Sequence, residues 1–107
     1  MCQAKGTAIP TVQIDDGTIR VTKWHFATKG ANTGWHKHAH DYVVVPLFNG
    51  VLEIADAQGN ITHSVMENGG SYARQAGVEH DVINGNEGAV SFVEIEFLNT
   101  GPNADGK

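Results

Sequence analysis

The feature that most constrains the fold is a series of short runs rich in β-branched and aromatic residues, each followed by a turn containing Gly or Asn. The runs are TIRVTKWHFA (18–27), YVVVPLF (42–48), GVLEIAD (50–56), NITHSVM (60–66), HDVIN (80–84) and AVSFVEIEFL (89–98). No convincing helix interrupts them. Strands this short and this regularly spaced favour antiparallel sheets closed into a sandwich or a barrel. The sequence therefore predicts an all-β protein.

Length and composition indicate one globular unit. A chain of 107 residues can form one core but not two, and its 40% apolar and 18% charged content is typical of soluble proteins. No apolar stretch is long enough to span a bilayer, and MCQAKGTAIP lacks the pattern of a signal peptide. We expect a single domain over residues 1–107 with a core of about 10–98, a flexible arm at 1–9, a flexible tail at 99–107, and a cytoplasmic location.

Charge excludes two classes of partner. The formal net charge is −5, and the 7 basic residues are scattered singly along the chain. Such a distribution offers no electrostatic surface for a nucleic-acid backbone or an anionic membrane. The single cysteine, Cys2, cannot form an internal disulfide, and no role is expected for it.

Two strands carry further information. In AVSFVEIEFL, Val93, Ile95 and Phe97 alternate with Glu94 and Glu96, which predicts one dry face and one face turned to water. In YVVVPLF, the proline at position 46 cannot donate a ladder hydrogen bond. Pro46 therefore predicts either a bulge or a nitrogen that faces an unpaired position.

The histidines are unevenly distributed. His36 and His38 lie two apart, so in a strand both imidazoles share one face and can converge on a single ion. A third donor must come from elsewhere, and His80, at the start of a later strand, is the best candidate. His25 and His63 each stand alone among ordinary strand residues, and we interpret both as structural or solvent-facing. The pattern predicts that His36, His38 and His80 together bind a divalent transition metal.

The surroundings of the His pair resemble the first motif of the cupin superfamily. That motif runs Gly, five residues, His-x-His, three or four residues, Glu, six residues, Gly. His36 and His38, four residues, Val43, six residues and Gly50 fit it, with two departures. Gly34 stands too close to the pair, and Val43 occupies the place of the acid.

The surroundings of His80 resemble the second cupin motif more closely. That motif runs Gly, five residues, Pro-x-Gly, two residues, His, three residues, Asn. Here Gly69, Gln75, Gly77, His80 and Asn84 stand at those intervals, and only the proline is replaced. The resemblance covers residues 34 to 84 and implies a double-stranded β-helix, or jelly-roll barrel, in which the two motifs together hold a metal.

The loss of the motif's glutamate leaves the fourth metal position open. Valine offers no donor atom, so the resemblance implies either a three-histidine site or a substitute ligand. The candidates are His40, Asp41 and Tyr42, of which we rank His40 first. Strict strand alternation would place His40 and Tyr42 on the face of the His pair, but cupins have a turn at this point that breaks the alternation.

Tyr72 and Arg74 alternate along the strand that leads to His80, so they share a face. If that face points inward, Arg74 offers a cation for a substrate carboxylate and Tyr72 a hydroxyl that can polarise or protonate it. The alternative is that Arg74 extends its charge to the surface.

Together these residues predict a metal-binding cupin that acts on a small polar or carboxylated metabolite. Cupins with three histidines and no acid include dioxygenases, so a metal-dependent dioxygenase is one possibility. Iron, zinc, nickel and manganese all suit imidazole ligands. The alternative is a non-catalytic module that binds a metal or a metabolite. The sequence is most similar to small stand-alone cupins, some of which are described as β-alanine degradation proteins.

Assembly is the last expectation. A barrel of this size leaves edge strands, and Ile9, Val12 and Ile14 near the N-terminus have no obvious inward partner. We expect a homodimer in which the N-terminal segment adds to a sheet of the other subunit.

Overall fold

The protein is described from a computed structural model that covers residues 6–101, so Cys2 and positions 102–107 lie outside the described residues. Nine strands and no helix occur in this range, which confirms the prediction of an all-β protein. The strands are β1 Ile9–Asp15, β2 Ile19–Phe26, β3 His36–Lys37, β4 Asp41–Pro46, β5 Gly50–Ala55, β6 Ile61–Met66, β7 Tyr72–Arg74, β8 Glu79–Asn84 and β9 Val90–Phe97. Over residues 6–101 no helix is long and apolar enough to cross a membrane.

The strands form two antiparallel sheets. The larger has five strands in the order β1-β2-β9-β4-β7, and the smaller has four in the order β3-β8-β5-β6. In the larger sheet β9 is central, so that Glu94 lies opposite Thr22 on β2 and opposite Val44 on β4. Residues directly opposite each other across antiparallel strands share a face. The register therefore decides which side chains reach the space between the sheets.

The core fills part of the space between the sheets. Apolar side chains from both sheets are buried against one another there, and two aromatic rings on neighbouring strands, Phe26 and Phe92, lie 5.6 Å apart between centroids. The other buried members include Tyr42, Val44, Leu52, Met66, Val82 and Val90. One end of the same space stays open as a cavity, and the predicted site lies there.

The two faces of β9 are the reverse of those predicted. Phe92 and Glu94 point into the space between the sheets and are buried, whereas Val93 and Ile95 are half-buried on the outer face. Alternation shows that two faces differ, but the outer face of this sheet is also apolar, so polarity alone selects the wrong side. The consequence is that an acidic side chain lies inside the protein.

The N-terminal strand joins the sheet of its own chain. β1 pairs with β2 as an edge strand, with a register shift between Val12 and Ile14, and all seven of its residues are exposed. Just before it, Ala8 is buried and donates its backbone N–H to the Asn32 carbonyl oxygen at 2.8 Å. Because β1 stands at the end of the strand order and pairs with β2 along one edge only, the expectation that this segment adds to another subunit's sheet stays a prediction.

Pro46 ends β4 without a bulge. The register between β4 and β9 is regular from Asp41 to Pro46, and the ladder between β4 and β7 has already ended at Val44. Of the two alternatives, the structure therefore excludes the bulge in this ladder.

Candidate metal centre

Three histidines converge at the junction of β3 and β8. His36 and His80 are directly opposite each other in the antiparallel pair, and His38 follows β3. Two backbone hydrogen bonds hold His38 in place, from its own N–H to the Val78 carbonyl oxygen and from the Gly77 N–H to its carbonyl oxygen, both at 2.8 Å. The Nε2 atom of His38 lies 3.1 Å from the Nε2 atoms of both His36 and His80.

These distances suit one shared metal ion. Two imidazole nitrogens bound to the same ion at about 2.0 to 2.1 Å are roughly 2.9 to 3.4 Å apart in octahedral or tetrahedral geometry. The Nδ1 atom of His36 lies 2.9 Å from the Gly34 carbonyl oxygen, which can only accept, so Nδ1 carries the hydrogen. The Nε2 lone pair of His36 is then free to bind a metal. The three histidines could therefore hold a metal ion.

A carboxylate behind the site fixes the loop that carries His36. Asp81 accepts hydrogen bonds from the Asn32 side-chain amide at 2.9 Å and from the Gly34 backbone N–H at 3.1 Å. Thr33 donates its backbone N–H to the Val82 carbonyl oxygen at 2.9 Å. Because Asp81 follows His80 in β8, one strand positions both His80 and the support for His36.

Burial keeps two of the three imidazoles neutral. It lowers the pKa of His38 to about 3, and the neighbouring His36 and His80 add to that effect. It also lowers the pKa of His80 to about 4, again with a contribution from His36. Only a neutral imidazole binds a metal, so His38 and His80 stay available as donors well below neutral pH.

Tyr42, and not Val43, points into the site. The Tyr42 ring stacks on His38 with centroids 3.8 Å apart and planes 17° apart, and burial raises the pKa of its phenol. Val43 is half-buried on the outer face beside Ile95. The alignment of Val43 with the motif's glutamate, with its side chain inward, is therefore wrong. With the motif's shorter spacing, in which three residues follow His38, Tyr42 takes the position of the motif's glutamate.

His40 and Asp41 lie outside the group of donors. The Nδ1 atom of His40 is 3.0 Å from the Thr100 carbonyl oxygen, and Asp41 accepts a hydrogen bond from the Ala76 backbone N–H at 2.8 Å. The structure does not bring His40 to the three histidines, because the chain turns between His38 and β4 and directs His40 toward the C-terminal segment, and its role as a substitute ligand stays a prediction.

A cavity of about 300 Å³ adjoins the histidines. The smaller sheet contributes apolar side chains from β5 and β8 together with His80, Thr62 and Ser64, and the larger sheet contributes polar side chains such as Tyr72 and Glu94. The lining consists of His38, Tyr42, Val44, Leu52, Ile54, Thr62, Ser64, Tyr72, Arg74, Val78, His80, Val82, Phe92 and Glu94. A space of this size suits a small metabolite.

Tyr72 and Arg74 both line this cavity. The guanidinium carbon of Arg74 lies 4.6 Å from the centre of the Tyr72 ring, and Arg74 donates a hydrogen bond to the Ala73 carbonyl oxygen at 2.8 Å. The Arg74 side chain is exposed as well, so it lies at the mouth of the cavity. In residues 6–101 no ion pair involves Arg74.

Glu94 is the functional candidate that sequence reasoning missed. It lines the cavity, is 9% exposed, and its Oε2 atom lies 4.0 Å from Nε2 of His38. Burial raises the pKa of its carboxyl to about 7, helped by the charge of Glu96 and opposed by a hydrogen bond with the Trp24 side chain. The spacing of Phe92 and Glu94 places them on one face, but only a known partner sheet shows that this face is the inner one.

Comparison with known proteins identifies the family. No protein-family model matches the sequence. The chain is 51% identical over 90 residues to the β-alanine degradation protein BauB of Pseudomonas aeruginosa, covering 84% of this chain and 93% of that protein.

Solved structures of cupins have the same fold as this chain. The crystal structure of a cupin domain from Bordetella pertussis Tohama I superimposes with a TM-score of 0.85 at 46% identity, over 90% of this chain and 98% of that one. An RmlC-like cupin with a double-stranded β-helix fold from Methanocaldococcus jannaschii, 12% identical, superimposes with a TM-score of 0.72 over 97% and 89% of the two chains, which shows the fold alone. The predicted jelly-roll fold is confirmed, and the chain belongs to the cupin superfamily as a small cupin related to BauB.

Proposed function

We propose that this protein binds one divalent transition metal through His36, His38 and His80 and acts on a small carboxylated metabolite held in the adjoining cavity. The observation that carries the proposal is the convergence of three Nε2 atoms beside that cavity. Imidazole suits iron, zinc, nickel and manganese, so the donor set leaves the metal open among these.

The cavity favours a carboxylate as the group that is recognised. Arg74 at its mouth has a planar guanidinium that can bind a carboxylate through two hydrogen bonds. The Tyr72 ring, 4.6 Å away, limits the guanidinium's movement. The Tyr72 hydroxyl is protonated because burial raises its pKa, so it can donate a hydrogen bond to the same ligand. A role connected with β-alanine degradation, named for the relative in Pseudomonas aeruginosa, is compatible with such a ligand.

The bound metal would supply either Lewis acidity or a place to activate dioxygen. The chain's own residues bind the carboxylate at Arg74, orient it with Tyr72, and exclude water with the apolar wall formed by residues such as Leu52 and Val82. A dioxygenase reaction is the finer form of the proposal, and a non-catalytic module that holds metal and metabolite is the alternative. Oxygen uptake by the iron-loaded protein in the presence of small carboxylates, absent from the zinc-loaded protein, would favour the dioxygenase.

The metal site is tested by elemental analysis of purified protein. We expect close to one transition metal per chain in the wild type and its loss on replacement of His36, His38 or His80 with Ala. The matched controls are His25→Ala and His63→Ala, because those rings contact Ser91 and Glu53 instead, at 2.8 and 3.7 Å. Retention of metal by the His80→Ala variant would contradict the proposed site.

We also propose a homodimer. β1 is an exposed edge strand, and the outer face of the larger sheet carries the half-buried side chains Val43, Val45, Val93 and Ile95, which lie opposite one another across β4 and β9. An apolar sheet face beside an open edge is a typical surface for self-association.

A further inference from the structure

The outer face of the larger sheet carries an apolar row that crosses all five strands. The register places one apolar residue of each strand side by side in this row, namely Ile14, Val21, Ile95, Val43 and Ala73. Residues directly opposite one another share a face, so the row runs from one edge of the sheet to the other. A second copy of the chain would cover this row in the proposed homodimer.

Two opposite charges lie on the same face as the apolar row. Among the strand residues that the structure describes, the alternation of side chains places one lysine there, Lys23 on β2, and one carboxylate, Asp41 on β4. Both residues are half-buried, and neither forms an ion pair within residues 6–101. The Oδ1 atom of Asp41 accepts a hydrogen bond from the Ala76 backbone N–H at 2.8 Å, which holds the carboxylate in place.

Ile95 lies midway between these two charges. Lys23 lies opposite Val93, which is two residues before Ile95 on β9. Asp41 lies opposite Phe97, which is two residues after Ile95. Because β2 and β4 flank β9 on its two sides, strands about 4.8 Å apart with about 3.4 Å per residue place the Cα atoms of Lys23 and Asp41 roughly 17 Å apart. The two charges are therefore too far apart to pair within one chain.

This arrangement is self-complementary. In a dimer with a two-fold axis, a residue that contacts another residue across the interface is contacted by that same residue in return. If the axis lies over Ile95, at right angles to the line between the charges, each Lys23 lies over Asp41 of the partner subunit. An ammonium enclosed by an apolar interface without a carboxylate would be costly, so the apolar faces associate favourably only in an orientation that pairs it.

We propose that Lys23 and Asp41 orient the homodimer, in which the outer faces of two larger sheets pack about a two-fold axis over Ile95 and each Lys23 pairs with Asp41 of the partner subunit. This inference rests on the homodimer put forward under the proposed function. It adds how the two copies are oriented and which residues set that orientation.

Charge reversal tests the pairing. Lys23→Glu and Asp41→Lys each bring like charges together at two places in a dimer, so each should raise the dissociation constant at least about 100-fold. An equimolar mixture of the two variants should associate again, to within about tenfold of the wild type, because opposite charges then meet at both places. Analytical ultracentrifugation of each variant alone and of the mixture measures these constants.

Two further variants serve as controls. Lys29→Glu makes the same change in the loop after β2, where Lys29 pairs with Glu87 at 2.8 Å, and should dimerise like the wild type. Asp41→Asn removes the charge but keeps an acceptor for the Ala76 N–H, and should weaken the dimer about tenfold. Circular dichroism shows whether each variant keeps the β-fold.

The outcomes separate this inference from the homodimer itself. A mixture that stays monomeric, although both variants are folded, would overturn the pairing of Lys23 with Asp41. A dimer that neither reversal weakens would also overturn it, and would point to association through the edge of β1 instead. Dissociation of that dimer by Ile95→Lys would leave the proposed homodimer intact. A monomeric wild type would contradict the homodimer, and this inference with it.

Discussion

At the residue scale, Glu94 determines how the stability of the metal-free protein depends on pH. Burial raises the pKa of the Glu94 carboxyl from its ordinary value of 4.5 to about 7. A raised carboxyl pKa means that ionisation costs more in the folded state than in the unfolded one. The contribution of Glu94 to the free energy of unfolding is therefore fully present below about pH 4.5, where the carboxyl is protonated. It is lost as the pH rises through about 7 and the carboxyl ionises in the folded protein.

The first prediction follows from this cost. Glu94→Gln should raise the free energy of unfolding of the metal-free protein at pH 8 by up to about 3 kcal/mol, the equivalent of the pKa shift. The difference from wild type should vanish near pH 4, where both side chains are neutral. Urea unfolding at the two pH values measures it, with Glu53→Gln as the control. A Glu94→Gln variant less stable than wild type at pH 8 would show that the carboxylate is well compensated in the fold.

The second prediction concerns the fourth metal position. Tyr42 stacks on His38 inside the site and Val43 lies on the outer face. Tyr42→Glu should therefore tighten zinc binding and keep the metal bound to lower pH, because a carboxylate titrates near pH 4 and adds a donor. Val43→Glu makes the same substitution one residue away and should leave both properties unchanged. Competition with a chelator from pH 4 to 8 gives the affinities, and a response of Val43→Glu equal to that of Tyr42→Glu would contradict the assigned faces.

At the element scale, the pairing of β3 with β8 creates the metal centre. β3 has only two residues, so its own ladder is weak, and the hydrogen bonds that Asp81 accepts from Asn32 and Gly34 hold the preceding loop against β8. His36 and His80 can meet only when this loop is in place, since they lie directly opposite each other. The site therefore depends on a carboxylate that does not face the cavity.

The third prediction tests that dependence. Asp81→Ala leaves the Asn32 amide and the Gly34 N–H without their acceptor and should lower the free energy of unfolding by about 1 to 3 kcal/mol. Zinc affinity should fall about 10- to 100-fold, as is typical when a supporting contact of a metal ligand is lost. Asp81→Asn keeps one acceptor oxygen and should show smaller losses. Unchanged zinc affinity in Asp81→Ala would show that β3 is held in place by its ladder alone.

At the scale of the whole molecule, the two sheets differ in how much of their surface is covered. The inner faces bury the core and the cavity, whereas the outer face of the larger sheet leaves Val43, Val45, Val93 and Ile95 half-buried. Its edge strand β1 is exposed on all seven residues, including Ile9 at 58%. A second copy of the chain would cover both features at once.

The fourth prediction concerns this assembly. Light scattering at micromolar concentration should show a homodimer for the wild type, and Ile95→Lys should convert it to a monomer, because a charge at the centre of an apolar interface is strongly unfavourable. Val65→Lys is the matched control, since Val65 lies on β6 of the smaller sheet and is 77% exposed. A monomeric wild type, or a dimer insensitive to Ile95→Lys, would contradict the proposed interface.

The sequence alone was enough to predict the all-β class and most of the strands, because β-branched runs and Gly-containing turns are local signals. The runs at 18–27, 50–56 and 60–66 correspond to β2, β5 and β6 within one or two residues. The spacing of His36, His38 and His80 likewise pointed to a group that the structure brings together. These signals need no knowledge of the partner sheet.

Only the tertiary structure decided which face of each strand lies inside. Period-two alternation places Glu94 with Phe92 and Tyr42 with Val44, but each pair could lie on either side. The choice depends on where the second sheet packs, which is a long-range property of the whole chain. For that reason alternation predicts Glu94 on the solvent face and the motif spacing predicts Val43 at the site, whereas in the structure the smaller sheet packs over the face that carries Glu94 and Tyr42 and buries both.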